Sequence, residues 1–250
     1  MTSGKIHVGI GGWTYEPWRG TFYPPGLPHA RELEYAAGAV TAIEINGTYY
    51  RTQSAASFKK WAEATPPGFV FSVKASRFCT NRKNLADGGE SIGKFLGQGL
   101  TELGDRLGPI LWQLMPTKRF DADEMADFLS LLPPSQDGVP LRHAIEPRHE
   151  SFRDPAFIAL ARKAGVAIVL ADSASHPKFD EATADFVYAR LQNAREEIET
   201  GYDPAELDKW TNVARGWADG GRDAFIFMIN GAKVRAPAAA QALIARLAAS

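Results

Sequence analysis

"LRHAIEPRHESF", Leu141 to Phe152, opens as an apolar run and ends with Glu146, Arg148 and His149 packed into four positions. Taking an ion out of water is costly unless the ion is paired, so charge at the end of an apolar strand implies that the strand end opens onto a polar site. Alternation puts Ala144, Glu146 and Arg148 on one face of this strand and Ile145 on the other. A helix signature follows at once. Asp154 supplies an N-cap, Pro155 the first helical position, and "AFIALARKAG" runs to Gly165, a natural C-terminal stop. The stretch is thus a βα unit with its polar end at the strand's C-terminus.

Seven further β-like runs flank it: Ile6 to Gly12, Ala42 to Asn46, Phe69 to Lys74, Pro109 to Leu114, Val166 to Asp172, Asp185 to Leu191 and Ala224 to Asn230; the run quoted above covers Arg142 to Arg148. Most are continuously apolar, as strands covered on both faces of a parallel sheet must be. The intervals carry helix starts. Asp203, Pro204 and Glu206 form a capping box with an N1 proline, Asp121 with Glu124 repeats the box, and Pro237 opens an alanine-rich terminal helix. The interval after the sixth run has room for one helical turn only. Eight strands alternating with helices over 250 residues predict an α/β fold, a parallel eight-stranded (β/α)8 TIM barrel, as one domain over 1–250. "YPPGLPH" and "LLPPSQDGVP" read as loops inside it.

The composition, 45% hydrophobic and 23% charged, is that of a chain with a large core. With 28 basic against 29 acidic residues the net charge is −1. That balance supplies no long-range field for a nucleic-acid backbone or an anionic membrane, so neither partner is expected. Cys79 is the only cysteine, which rules out an intrachain disulfide and a cysteine-rich zinc site. No cationic segment leads into a long apolar stretch and no 18-residue apolar run occurs; a cytoplasmic location is expected.

Parity assigns the inward residues. Strand two turns Ala42, Glu44 and Asn46 inward, strand three Val70, Ser72 and Lys74, strand four Leu111 and Gln113, and strand five Ala144, Glu146 and Arg148. Strand six adds Ile168, Leu170 and Asp172, strand seven Tyr188, Arg190 and Gln192, and strand eight Met228 and Asn230. Their polar members gather at the C-terminal ends, where barrels of this kind build their sites. Lys74, Arg148 and Arg190 face Glu44, Glu146 and Asp172, which suits a small ligand carrying phosphate or carboxylate, or a sugar-like one. Glu44, Lys74, Glu146 and Asp172 are the candidates for acid–base chemistry. Trp13, Asn46, Gln113, Arg148, His149, Tyr188, Arg190 and Asn230 are the candidates for holding the ligand. No cofactor is expected. A divalent metal held by Glu44, Glu146, His149 and Asp172, with His176 nearby, is the rival chemistry of a hydrolase or isomerase, and a non-catalytic binding or regulatory barrel is the other alternative. Of the aromatic residues in "GIGGWTYEPWRGTFYPPG", most read as local core, with Trp13 at the strand end the exception.

"GGWTYEPWRGTFYP", "EINGTYY", "TPPGFVFSVKAS", "GPILWQLMP", "EPRHESF" and "FVYARLQ", taken in this order, resemble the YecE-like family, domain of unknown function 72, from about Val8 to the C-terminal helix. The resemblance implies a (β/α)8 barrel and brings no particular reaction with it. Family-type residues stand at Trp13, Tyr15, Trp18, Phe22, Tyr23, Pro24, Glu44, Asn46, Tyr49, Tyr50, Lys74, Gln113, Glu146, Arg148, His149, Asp172, Tyr188 and Arg190. The departures are at Thr80-Asn81, where the family pattern is Thr-His, at Arg190-Leu191-Gln192-Asn193, where it is Arg-Leu-His-Gly, and beyond Asn230 in "MINGAKVRAP". Two imidazoles are thereby replaced by carboxamides, which hydrogen-bond but do not shuttle protons near neutrality.

Overall fold

The computed structural model describes residues 3–249; Met1, Thr2 and Ser250, part of the expected 1–250 domain, lie outside the described residues. Eight strand positions make up the barrel: β1 Ile6–Gly11, β2 Ala42–Ile45, β3 Val70–Lys74, β4 Leu107–Gln113, β5 His143–Glu146, β6 in two pieces Ala167–Ile168 and Leu170–Asp172, β7 Phe186–Leu191 and β8 Asp223–Met228. All their pairings are parallel, and neighbours in sequence are neighbours in the sheet. The first piece of β6 pairs with β5 and the second with β7, so the broken strand closes the ring through nine segments where eight continuous strands were expected. The break has a local cause. The Thr183 hydroxyl, from the segment before β7, bonds the first piece in place of a ladder partner, accepting from Ile168 N at 3.0 Å and donating to Val166 O at 2.7 Å.

Nine helices are found among the described residues: α1 Glu32–Ala39, α2 Gly47–Tyr50, α3 Ala55–Glu63, α4 Arg77–Thr80, α5 Gly89–Leu96, α6 Ala122–Ser130, α7 Pro155–Ala164, α8 Pro204–Asp219 and α9 Ala236–Ala248. None is long and apolar enough to cross a membrane. α7 starts and stops as its sequence requires, with Asp154 accepting from Ala156 N at 2.8 Å and Gly165 left-handed. At α8, Glu206 Oε2 accepts from Asp203 N at 2.8 Å. The second capping box is only half made. Asp121 caps α6, but the Glu124 carboxylate turns away to accept from Leu85 N and Lys118 Nζ, because a buried ammonium is a stronger donor than its own helix end. No helix forms between β6 and β7. The "PPSQDGVP" loop holds a small hairpin, Ser135–Gln136 against Val139–Pro140, turned by Asp137 and Gly138 at positive φ.

The barrel interior is apolar below and charged above. His7 stacks on Phe225 at 5.1 Å, Tyr188 lies against Phe227 at 5.2 Å, and Ala42, Leu111, Ala144, Ala167 and Val169 fill the space between. Ile43, Ile45, Phe71, Val73, Ile110, Trp112 and Ile145 point outward under the helices. Parity therefore holds on β2 to β5 and on β7. It is reversed on β6 and β8: Val169 is interior while Ile168 and Leu170 are outside, and Phe225, Phe227 and Ile229 are interior while Met228 is outside. Both strands are apolar on each face, so one terminal polar residue decided the expectation: Asp172 lies outside the cavity lining, and Asn230 reaches it only by leaving the strand's alternation at positive φ.

Candidate functional site

Glu44 and Glu146, near the ends of β2 and β5, are fully buried and face Arg190 of β7. Arg190 grips Glu44 with Nε to Oε2 at 3.0 Å and Nη2 to Oε1 at 3.1 Å, and reaches Glu146 Oε2 with Nη1 at 2.8 Å. Tyr188 donates to Glu44 Oε2 at 2.7 Å, and its hydroxyl also meets Ser72 Oγ at 2.7 Å. Gln113 Nε2 donates to Glu146 Oε2 at 2.7 Å, while Arg148 Nε and Nη2 both reach Glu146 Oε1 at 3.2 Å. Both carboxylates are thus saturated with donors. Burial alone would raise the Glu146 carboxyl, but Arg190 and Arg148 outweigh it and hold the group down to about 2. Burial also opposes the charge on Arg190, which the two carboxylates more than restore.

Above this layer lies a cavity of about 360 Å³ lined by Asn46, Lys74, Gln113, Arg148, Arg190 and Asn230 among others. Lys74 ends β3 and is buried, with Nζ 4.3 Å from the centre of the Tyr49 ring. Its Nζ makes no hydrogen bond or ion pair with a described residue. Burial, and then the neighbouring Arg190, bring its ammonium down to about 8. Arg148 Nη1 is likewise free of described partners. The cavity therefore presents two unspent cationic donor groups over a fixed guanidinium.

Of the residues expected to form the site, Asn46, Lys74, Gln113, Arg148, Arg190 and Asn230 line this cavity, and Trp13 lines an adjoining one of about 290 Å³. Glu44, Glu146 and Tyr188 lie outside both linings and support the cavity through their bonds to Arg190, Gln113 and Arg148. Asp172 does not join them. It accepts from Lys178 Nζ and Asn193 Nδ2, each at 3.0 Å, at the rim. His149 turns its ring onto the next helical turn, where Nδ1 accepts from Ser151 N at 3.0 Å. The would-be metal ligands consequently do not converge, and among the described residues no group of three His, Cys, Asp or Glu could hold an ion. Asn230 reaches the cavity from a left-handed turn after β8, with φ +62°, and not from the strand. Of the family-type departures, Asn81 donates to Tyr49 at 3.1 Å, beside Lys74, and Gln192 accepts from Asn230 at 3.4 Å.

Lys233 was not anticipated. It lies in the irregular segment after β8, where strand alternation says nothing, and it lines both cavities, with Nζ 4.4 Å from the Tyr15 ring and 5.7 Å from that of Trp18. Its aromatic neighbours are the available signal: "WTYEPW" offers faces that attract a cation. Trp18 is fully buried, donates to Lys233 O at 2.9 Å and also borders the main cavity, so it is both core and wall.

Comparison with known proteins agrees with this architecture. Residues 7–250 match the family model described as "Protein of unknown function DUF72". The UPF0759 protein YunF of Bacillus subtilis (strain 168) is 28% identical over 78 residues, 31% of this chain; the match spans about a quarter, 27%, of that relative's length. A DUF72 family protein from Thermotoga maritima MSB8 superimposes with a TM-score of 0.77 at 23% identity, covering 98% of this chain and 100% of that one. One from Enterococcus faecalis V583 gives 0.76 at 17% identity, with both chains fully covered. With its family motifs in order and its matched region running from β1 into the terminal helix, the chain belongs to the DUF72 family.

Proposed function

We propose that this barrel is an enzyme that takes a small ligand bearing phosphate or carboxylate at the C-terminal mouth, with Lys74 as its acid–base group. The observation that carries the reading is the state of Lys74: buried, facing the cavity, without a carboxylate partner and brought to about 8. A group of that affinity gives and takes a proton close to working pH. Arg148 grips the anion with its free Nη1, and Arg190, locked by Glu44 and Glu146, is a positive wall that cannot swing away. The two glutamates position Arg190 and Arg148 and leave proton transfer to Lys74, since every carboxylate oxygen already accepts from a donor.

Competitive acylation of the lysines across pH, read by peptide mass, tests this. Lys74 should titrate near 8 and be protected by inorganic phosphate. Protection together with an ordinary lysine midpoint would instead favour a non-catalytic binding barrel. Absence of protection would remove the anion site.

A further inference from the structure

The main cavity does not end at its cations. Gly11, Asn46, Tyr50 and Lys233 line both it and the adjoining cavity of about 290 Å³, so the two are chambers of one cleft. The chambers differ in chemistry. The second is walled by Trp13, Trp61 and Tyr50, has no acidic residue among its described lining, and carries the carboxamides of Asn46 and Gln53 at its edges. Trp13 and Trp61 meet edge to face at 5.1 Å, and Tyr50, 66% exposed, stands against Tyr49 at 5.0 Å. Trp13 and Trp61 are braced from behind by Phe71 and Phe58, so that with the exposed tyrosine they set aromatic surface on a cavity wall, against which a flat ring of a ligand can stack.

Resting on the anion reading above, we infer that the substrate is nucleotide-like: a flat heteroaromatic ring in the Trp13–Trp61–Tyr50 chamber, joined through a short polar spacer to a phosphate at Lys74 and Arg148. The ring is favoured over a sugar because three aromatic side chains wall the chamber, and its described lining lacks the carboxylates that would take a sugar's hydroxyls as charge-assisted donors. A side-chain carboxamide instead pairs with the donor and acceptor edge of a nucleobase. The spacing agrees. Trp13 follows β1 and Lys74 ends β3, two strands apart, and neighbouring strands lie about 5 Å from each other, so ring and phosphate sites are about 10 Å apart. Lys233, lining both chambers, would contact the spacer or the phosphate as a third cation.

Calorimetric titration of the whole chain with inorganic phosphate, ribose 5-phosphate and adenosine 5′-monophosphate tests this. The nucleotide should bind at least tenfold more tightly than ribose 5-phosphate and quench tryptophan emission, which the sugar phosphate, having no base, should not. In Tyr50→Ala, an exposed position where the fold is not at risk, the preference should shrink severalfold, and Gln53→Leu should shrink it again. Equal affinity for the two sugar phosphates, with no quenching, would overturn the ring chamber and leave the anion site standing. Failure of all three to bind would overturn both.

Discussion

Lys74 is the residue on which the chemistry turns, and its burial has a measurable consequence for the ligand-free protein. Its folded ammonium titrates near 8 against 10.5 for an ordinary lysine. The unfolded chain therefore binds more protons between those values, and stability contributed by this group rises as pH climbs from about 8 to 10.5. Below 8 the full cost of the buried charge is present, about 3 kcal/mol at most. Other groups titrate in the same window with the opposite sign: burial raises the Cys79 thiol to about 12, which lowers stability once the unfolded thiol ionises. The difference between wild type and Lys74→Met isolates the lysine. In urea unfolding the variant should be more stable at pH 7, by about 1–3 kcal/mol, and the gap should close by pH 10.5. A variant equally stable or weaker at pH 7 would contradict the picture of an unpaired buried cation. The same substitution should lower phosphate affinity about tenfold or more, since a charge-assisted bond is lost with nothing to replace it. In the wild type that affinity should decline as pH rises through 8.

Elements show where a sequence reveals a barrel and where it conceals one. β2, β3, β4, β5 and β7 alternate apolar residues with Glu44, Lys74, Gln113, Glu146 and Arg190, and this contrast assigns both face and end. β6 and β8 have no such contrast. Asp172 is satisfied at the rim by Lys178 and Asn193, so its charge misreports the direction of the strand that carries it. Neither the break at β6 nor the role of Thr183 could be read from the chain, because each rests on a side-chain contact between residues 15 and 17 positions apart. The turn after β8 is similar. Asn230 and Gly231 both have positive φ, and a Cβ on Gly231 would come within 2.8 Å of Ala194 and Gln192 backbone atoms. That pair steers the chain so that Asn230 and Lys233 reach the cavity. Gly231→Ala should cost about 1–3 kcal/mol in thermal or urea unfolding and weaken phosphate binding severalfold by moving Lys233. Unchanged affinity in a folded variant would show that this turn does not set the site.

At the scale of the molecule, an almost neutral chain concentrates positive potential at one end of its barrel by anchoring charge inside it. Arg190 joins β7 to Glu44 on β2 and to Glu146 on β5, three strands spaced around the ring, and the bonds lie directly beneath the cavity. A buried network of this kind adds little net stability compared with an apolar filling, but removing one member strands the others. Arg190→Met leaves two carboxylates without their shared guanidinium. It should destabilise the fold by about 3–5 kcal/mol at pH 7. The sign of its pH dependence should also invert. In the wild type Glu146, held near 2, contributes stability that is present above the ordinary carboxylate value of 4.5 and lost as pH falls toward 2. In the variant, burial without the arginine raises the Glu146 carboxyl, so the folded state takes up a proton before the unfolded one and stability recovers as pH falls from 7 toward 5. Urea denaturation of both proteins at pH 7 and pH 5 measures this. A variant whose stability stays level over that range, as this contribution does in the wild type, would mean that Arg148 and Gln113 suffice to hold Glu146 ionised, and that Arg190 serves the ligand more than the fold.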